Sequence, residues 1–390
     1  MLGGLQAAML DLVRAVSAST KRASDVEKAF GVDYKLGWQV HRIATVRNPL
    51  EAGAHVPARV SMERLLKSAT KRKAPAGVVE RVAGAFAAFE QLVESEAGDR
   101  AELDAMIAEF VPEIREKRDR AARVTAFKGI SQIRGVAMEA HVGTFILHPS
   151  ANGSTVDRAT FSAYLGLRRL RPGSTIGFTT IGLSGATVLT LDGRPPEEPH
   201  GILLPQFCSA PIPRFDVRRN GEFTDYFVAG NAVGLSAAVD LVMGEYRPQA
   251  IKRYRQPEGR SMTGVMNLVD TPLKRMTIDV MVHSDLFPGG PPALEAYDFV
   301  PRGQVSQGIG DPTRERDRLT LYEHIRPIPG GIAGAGLPES PTYVKMLGHV
   351  CSTLGWQPGA FRAYRLEVDY PLYGSQYLIG FTLPEAPSNG

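Results

Sequence analysis

The stretch KRASDVEKAFGVDYKLGWQVHRIA, residues 21–44, decides how the beginning of this 390-residue chain is read. Its spacing predicts a helix from about Ala23 to Phe30 that stops at Gly31, because glycine takes the left-handed conformation that ends a helix and turns the chain. Val32 fills the angle of the turn. Asp33 is placed to cap the next helix by accepting its free amide hydrogens. That second helix is expected from Tyr34 to Val46. Leu36, Val40 and Ile43 recur at helical spacing and point inward, towards Val26 and Phe30. Gly37 lets the two helices cross closely. Tyr34, Lys35, Trp38, Gln39 and Arg42 are left on the outer face.

Helical patterning continues on both sides. Leu5, Met9, Leu12, Val13 and Val16 fall on one face, so residues 1–17 read as a packed amphipathic helix. A signal peptide would need a basic leader and an uninterrupted apolar run, and Asp11 and Arg14 break this one. Pro75 suits the first position of a helix that runs to about Ser95, with Val78, Val82, Phe86, Phe89 and Val93 facing a core. Glu113 to Lys128 is highly charged and reads as a solvated helix linking two parts of the chain.

The character changes near Gly135, where β-branched residues, aromatics, proline and glycine become frequent. Strands are expected over Val136–Leu147, Ser174–Leu183, Ala186–Leu191, Thr277–His283, Leu319–Ile325, Arg362–Tyr370 and Gln376–Leu383. Asn152-Gly153 and Asn220-Gly221 are hairpin-turn dipeptides. Helices are expected only at Ala232–Met243 and Pro341–Leu354. Such sparse helices argue for an antiparallel sheet architecture rather than a doubly wound parallel one. The reading is therefore α+β: an all-helical domain over 1–130, then a mostly antiparallel β domain over 131–390, a sandwich or barrel with one or two helices.

Composition sets bounds. A hydrophobic fraction of 43% supports real cores, and 22% charged residues is ordinary for a globular protein. The formal net charge of +4 permits a nucleic-acid partner without demanding one. Only Cys208 and Cys351 are present, which excludes a disulfide-rich scaffold and leaves both as reduced structural thiols. No apolar run is long enough to span a bilayer. The cytoplasm is the expected compartment.

The apolar Val26, the Phe30-Gly31-Val32 turn and the apolar Val40 resemble the helix-turn-helix of bacterial transcription regulators. Two positions depart from that pattern: Glu27, where a small residue is usual, and Gly37, where a branched apolar one is. The resemblance covers about 25 residues, the length of this short motif. It implies double-stranded DNA as partner, with the second helix in the major groove. Tyr34, Lys35, Trp38, Gln39 and Arg42 would then face the bases and phosphates. It also implies a homodimer on paired half-sites. Thirteen basic and six acidic residues between Lys21 and Arg81 agree with such a surface. Lys67, Lys71, Arg72 and Lys73 cluster where a helix ends. They suit backbone phosphates, or equally the cap of that helix.

Catalytic motifs are sparse. The histidines are scattered. His283 and Asp285 lie two apart at a strand end without a third ligand, so no metal or other cofactor is expected. Gly330 to Gly336 is glycine-rich but surrounded by proline, and reads as a loop rather than a phosphate cradle. Ser184 falls one residue short of a nucleophile elbow, and Ser236 is weaker still. Lys252, Arg253, Arg255 and Arg260 read as a solvated loop, and Trp356 and Tyr364 as core or rim aromatics. No catalytic residue is assigned. The leading expectation is a DNA-binding transcription regulator whose β region senses a small-molecule effector, oligomerises or contacts a partner. Two rivals stand beside it: an enzyme with its site in the β region, and a structural or assembly protein.

Overall fold

A computed structural model of the chain describes residues 1–17, 19–182, 188–196, 202–220, 223–256, 261–298 and 312–387. It is α+β, with helices first and a β-rich region after them. The chain divides into two compact units, Met1–Ala121 and Ala122–Gly390. The division falls inside one long helix.

The first unit holds α1 (Leu2–Val16), α2 (Ala23–Phe30), α3 (Tyr34–Thr45), α4 (Pro49–Gly53), α5 (Arg59–Lys71), α6 (Ala76–Leu92) and α7 (Arg100–Glu109). The long helix α8 (Pro112–Arg134) carries the chain into the second unit. Leu5, Met9 and Leu12 of α1 share one core with Val26 and Phe30 of α2 and with Leu36, Val40 and Ile43 of α3. Gly31 is left-handed, with φ 63°, and its amide donates to the Glu27 carbonyl. The Leu36 amide donates to Asp33 Oδ1 at 3.0 Å, so Asp33 is the cap its position promises.

The two departures from the motif explain each other. A Cβ on Gly37 would lie 2.8 Å from both Cα and Cβ of Glu27. The helices cross at this point, and the larger residue at 27 is accommodated because position 37 has no side chain.

The second unit carries β1 (Val136–Pro149), β2 (Thr155–Arg169), β3 (Ile176–Gly182), β4 (Phe215–Asn220), β5 (Phe223–Val228) and β6 (Val239–Lys252). After these come β7 (Met262–Leu268), β8 (Leu273–His283), β9 (Ala293–Asp298), β10 (Arg326–Ile328), α9 (Tyr343–Leu354), β11 (Phe361–Asp369) and β12 (Ser375–Thr382). Six strands form one sheet in the order β10-β11-β8-β1-β2-β6, and two three-stranded sheets have the orders β7-β12-β9 and β3-β5-β4. The pairing is antiparallel except between β1 and β8, which run parallel. Among the described residues the large sheet ends on β10 and β6, so it is not a closed barrel.

Several expected elements differ. Ala232–Met243 is not a helix; a short turn at Leu235–Ala237 leads into β6. Val239, Leu241 and Met243 lie at two-residue spacing and pair with β2, so the period is that of a strand. Leu319–Ile325 forms no strand, although the Leu319 amide donates to the Ala296 carbonyl at 2.8 Å. Of Ala186–Leu191, the first two residues lie outside the described set, and Leu189 bridges Tyr246. Ser184, Gly221 and Arg260 also lie outside it. β2, absent from the expectation, is a 15-residue strand. It follows the Asn152-Gly153 turn, where Asn152 Oδ1 accepts from the Ser154 and Thr155 amides at 3.0 and 3.1 Å.

Each face of the large sheet has its own core. Val142, Ile146, Phe161, Ala163 and Met281 pack with α9 through Met346, Leu347 and Val350. The opposite face, through Phe145, Ile278, Val280 and Leu366, packs with Val265, Tyr377, Ile379 and Phe381 of the β7-β12-β9 sheet. Below α9, Arg365 Nε and Nη2 donate to the two oxygens of Asp279 at 2.8 and 2.7 Å. Tyr343 donates to the same carboxylate at 2.7 Å and lies 2.9 Å from Thr144.

Candidate functional site

The face of α3 singled out in the sequence is only partly open. Tyr34, Lys35 and Trp38 are exposed, while Gln39 and Arg42 are half-buried. Arg42 is held in an ion pair by Glu51 of α4. The edge of Trp38 packs with His55, with ring centroids 5.2 Å apart. Lys71, Arg72 and Lys73 stand exposed at the end of α5, where Arg72 is the C-cap and leans over Gly31.

The other flagged residues have structural surroundings. His283 Nδ1 accepts the Asp285 amide at 3.2 Å, which makes the pair a turn at the end of β8. No group of three His, Cys, Asp or Glu among the described residues is placed to hold a metal. The glycine run turns its Ala335 and Gly336 carbonyls onto Arg365, so it receives a guanidinium. Cys208 is half-buried and Cys351 buried, both as free thiols. Trp356 stacks on His148 at 4.8 Å and 5°.

The candidate site is elsewhere, in a cavity of about 440 Å³ between the large sheet and β7. Side chains alternate across a strand, so the even positions of β2 put Arg158, Thr160, Ser162 and Tyr164 in one row along its wall. The odd positions Ala159, Phe161 and Ala163 lie in the core beneath α9. His141 and Phe145 come from β1, Glu245 and Arg247 from β6, Met276 from β8. Met266, Asn267 and Leu268 of β7, with Asp270 beyond it, make the opposite wall. The register ranks these residues. Arg158 is opposite Arg247, Thr160 opposite Glu245, and Tyr164 opposite His141. One end is thus cationic and the other carries an imidazole and a phenol.

The lining is polar and under-satisfied. Arg158 Nε and Thr160 Oγ1 are buried without a hydrogen-bond partner among the described residues. Arg247 is held by Glu245, with Nε 3.0 Å from Oε1. His141 is 7% exposed, and its ring centroid lies 5.1 Å from that of Tyr164. Burial lowers the His141 pKa to about 4, so the ring is neutral at ordinary pH. Burial also raises the Tyr164 phenol and the Asp270 carboxyl, the latter against one hydrogen bond from Thr271. Burial and then the neighbouring Arg247 lower the Arg158 guanidinium. Gly143, between His141 and Phe145, keeps the floor clear; a Cβ there would lie 2.7 Å from Asn267 Oδ1.

None of this wall was singled out in the sequence, where His141 appears as one scattered histidine. The alternation of 158–165, polar at even and apolar at odd positions, was a usable signal for the strand. Alternation alone assigns the polar face to solvent, whereas here β7 covers it.

No protein-family model matches the chain, and no curated protein matches it in sequence. Among solved structures it is similar to a two-domain M1 zinc metallopeptidase bound to L-tryptophan, with 9% identity and a TM-score of 0.26 over 63% of this chain and 43% of that one. It is also similar to an M1 zinc metallopeptidase from Deinococcus radiodurans, at 8% identity and a TM-score of 0.24, over 63% of this chain and 42% of that one. The chain thus spans less than half of either protein, and likeness at this level assigns no activity. The DNA-binding transcription regulator expected from the sequence is corrected by the surroundings of the helix meant to read bases. On the face expected to read bases, Arg42 is held by Glu51 and Trp38 packs with His55. No helix among the described residues is long and apolar enough to cross a membrane.

Proposed function

We propose that the β-rich unit binds a small anionic molecule in the cavity between its sheets, which pack as a sandwich. The observation that carries this reading is Arg158. Its guanidinium lies on the cavity wall with no hydrogen bond or ion pair among the described residues, and its Nε is buried. A buried charge without a partner is costly, and a bound anion removes that cost. The volume lies within the usual range for small-molecule sites, about 300–1,000 Å³. Isothermal titration of the full chain with small anions tests the reading, and binding that survives Arg158→Ala unchanged would sink it.

A second reading, that the same cavity is catalytic, is favoured by the pairing of an imidazole and a phenol at its far end, where the ring centroids of His141 and Tyr164 lie 5.1 Å apart. Burial lowers the His141 pKa to about 4, so the ring is neutral, and raises the Asp270 carboxyl from its ordinary value. An imidazole moved down and a carboxyl moved up come closer in proton affinity, which suits proton transfer within one cavity. Slow α-proton exchange into bound keto acids, followed by NMR in deuterated water and lost in His141→Ala, is the expected sign of it.

A further inference from the structure

The register at the cationic end fixes how much negative charge a ligand can bring. Arg158 and Arg247 are directly opposite on β2 and β6. Glu245 neutralises Arg247, with Nε 3.0 Å from one carboxylate oxygen and Nη2 3.4 Å from the other. One net positive charge is left, and it sits on a planar fork whose Nε is unpartnered. A carboxylate has the matching charge and the matching planarity, since it accepts two parallel bonds from a guanidinium. A phosphate monoester brings roughly two charges and would leave one uncompensated beside Glu245.

The rest of the wall describes the rest of the ligand. Thr160, Ser162 and Tyr164 follow Arg158 at two-residue steps, so hydroxyl-bearing residues recur about every 6.6 Å over about 13 Å of strand. Thr160 Oγ1 is buried and has no hydrogen-bond partner among the described residues. Asn267 faces them from β7, where its amide donates to the thioether of Met276 at 3.3 Å. Hydroxyls and amides placed in this way recognise groups that both donate and accept, as hydroxyls do. Met138, Phe145 and Met266 supply apolar area for the carbon skeleton.

We propose that the cavity takes a monocarboxylate with a hydroxylated body, of the sugar-acid or polyhydroxy-acid class. The carboxylate engages Arg158, and the hydroxyl groups lie along Thr160, Ser162 and Asn267. This rests on the reading of the cavity as a ligand site. Four probes separate the two claims: gluconate, glucuronate, hexanoate and glucose 6-phosphate, titrated calorimetrically into the full chain and its variants.

Gluconate or glucuronate is expected to bind more tightly than hexanoate, which lacks the hydroxyls, and than glucose 6-phosphate. Arg158→Ala is expected to weaken the sugar acid by about tenfold or more, with Arg158→Lys recovering part of the loss because it keeps the charge without the fork. Ser162→Ala is expected to weaken the sugar acid while leaving hexanoate unchanged. Glu245→Gln, which leaves two positive charges, is expected to shift preference towards glucose 6-phosphate. If glucose 6-phosphate binds the unaltered chain best and Arg158→Ala abolishes it, the carboxylate class is wrong while the cavity remains an anion site. If hexanoate matches the sugar acids, the hydroxylated body is wrong. If no probe binds at millimolar concentration, or if binding ignores Arg158, both claims fall. Circular dichroism of each variant separates lost binding from lost folding.

Discussion

Arg158 on β2 and Arg247 on β6 are register partners, and of the two guanidiniums Arg247 alone has a carboxylate hydrogen-bonded to it among the described residues. Like charges directly across a strand pair repel. Glu245 is hydrogen-bonded to Arg247 and reaches Arg158 through its charge alone. The unliganded wall therefore holds a charge that the fold does not satisfy.

Replacing Arg158 with methionine, which keeps much of the volume and removes the charge, is expected to stabilise the unliganded protein by about 1 kcal/mol or more. The measurement is the urea midpoint of both proteins without ligand. A lower midpoint in the variant would mean that Arg158 is already satisfied in the free protein, and would remove the ground for an anion site.

How much of this was legible in the sequence depends on which period dominated. The helical unit was legible because its core residues recur at helical spacing and its turn uses Gly31 and Asp33 in the roles their chemistry favours. β8, β11 and β12 were legible from alternation or β-branched runs. β6 was misread because Ala237, Ala238 and Met243 suit a helix locally, while pairing with β2 decides otherwise. The cavity was not legible because its residues come from five strands and a loop. Only the register brings His141 opposite Tyr164, 23 positions along the chain. The outer face of α3 misled for the complementary reason: the sequence shows which residues point outward but not that Glu51 would reach Arg42.

The Asp279–Arg365 pair is expected to behave as a unit. Asp279 is 0% exposed and Arg365 7% exposed, and Tyr343 also donates to the carboxylate. Arg365→Met strands a buried negative charge and is expected to cost about 3–5 kcal/mol. The double variant Asp279→Leu with Arg365→Met is expected to recover part of that loss, because no charge is left behind. Chemical denaturation of the single and double variants provides the comparison, and simple additivity would show that the two residues are not coupled.

Gly37→Ala tests the crossing of α2 and α3. In most exposed helix positions alanine is better than glycine by about 1 kcal/mol. Here the new methyl would meet backbone and Cβ of Glu27 at 2.8 Å, and backbone cannot swing aside. The expected outcome is net destabilisation of about 1–3 kcal/mol, read as a lower thermal midpoint of the helical signal. A higher midpoint would show that the helices can move apart without loss.

The pH dependence of stability should carry the signature of His141. Its folded pKa, about 4, lies below the ordinary value of 6.5 because burial disfavours the charged ring. The unfolded chain therefore takes up this proton first as the pH falls. The stability linked to the neutral ring is present in full above about pH 6.5 and is lost progressively down to about pH 4. A shift of this size corresponds to about 3 kcal/mol at most over that window. His141→Leu removes the titrating group, so the variant is expected to lose less stability between pH 7 and pH 4 than the unaltered chain does. Asp270 acts in the opposite sense. Its raised carboxyl favours the folded state at low pH and disfavours it as the pH rises through the folded value. Urea denaturation at several pH values separates the two. If the His141→Leu curve runs parallel to that of the unaltered chain, the ring is charged or solvated in the folded protein. It would then be no longer available as the neutral proton acceptor at the far end of the cavity.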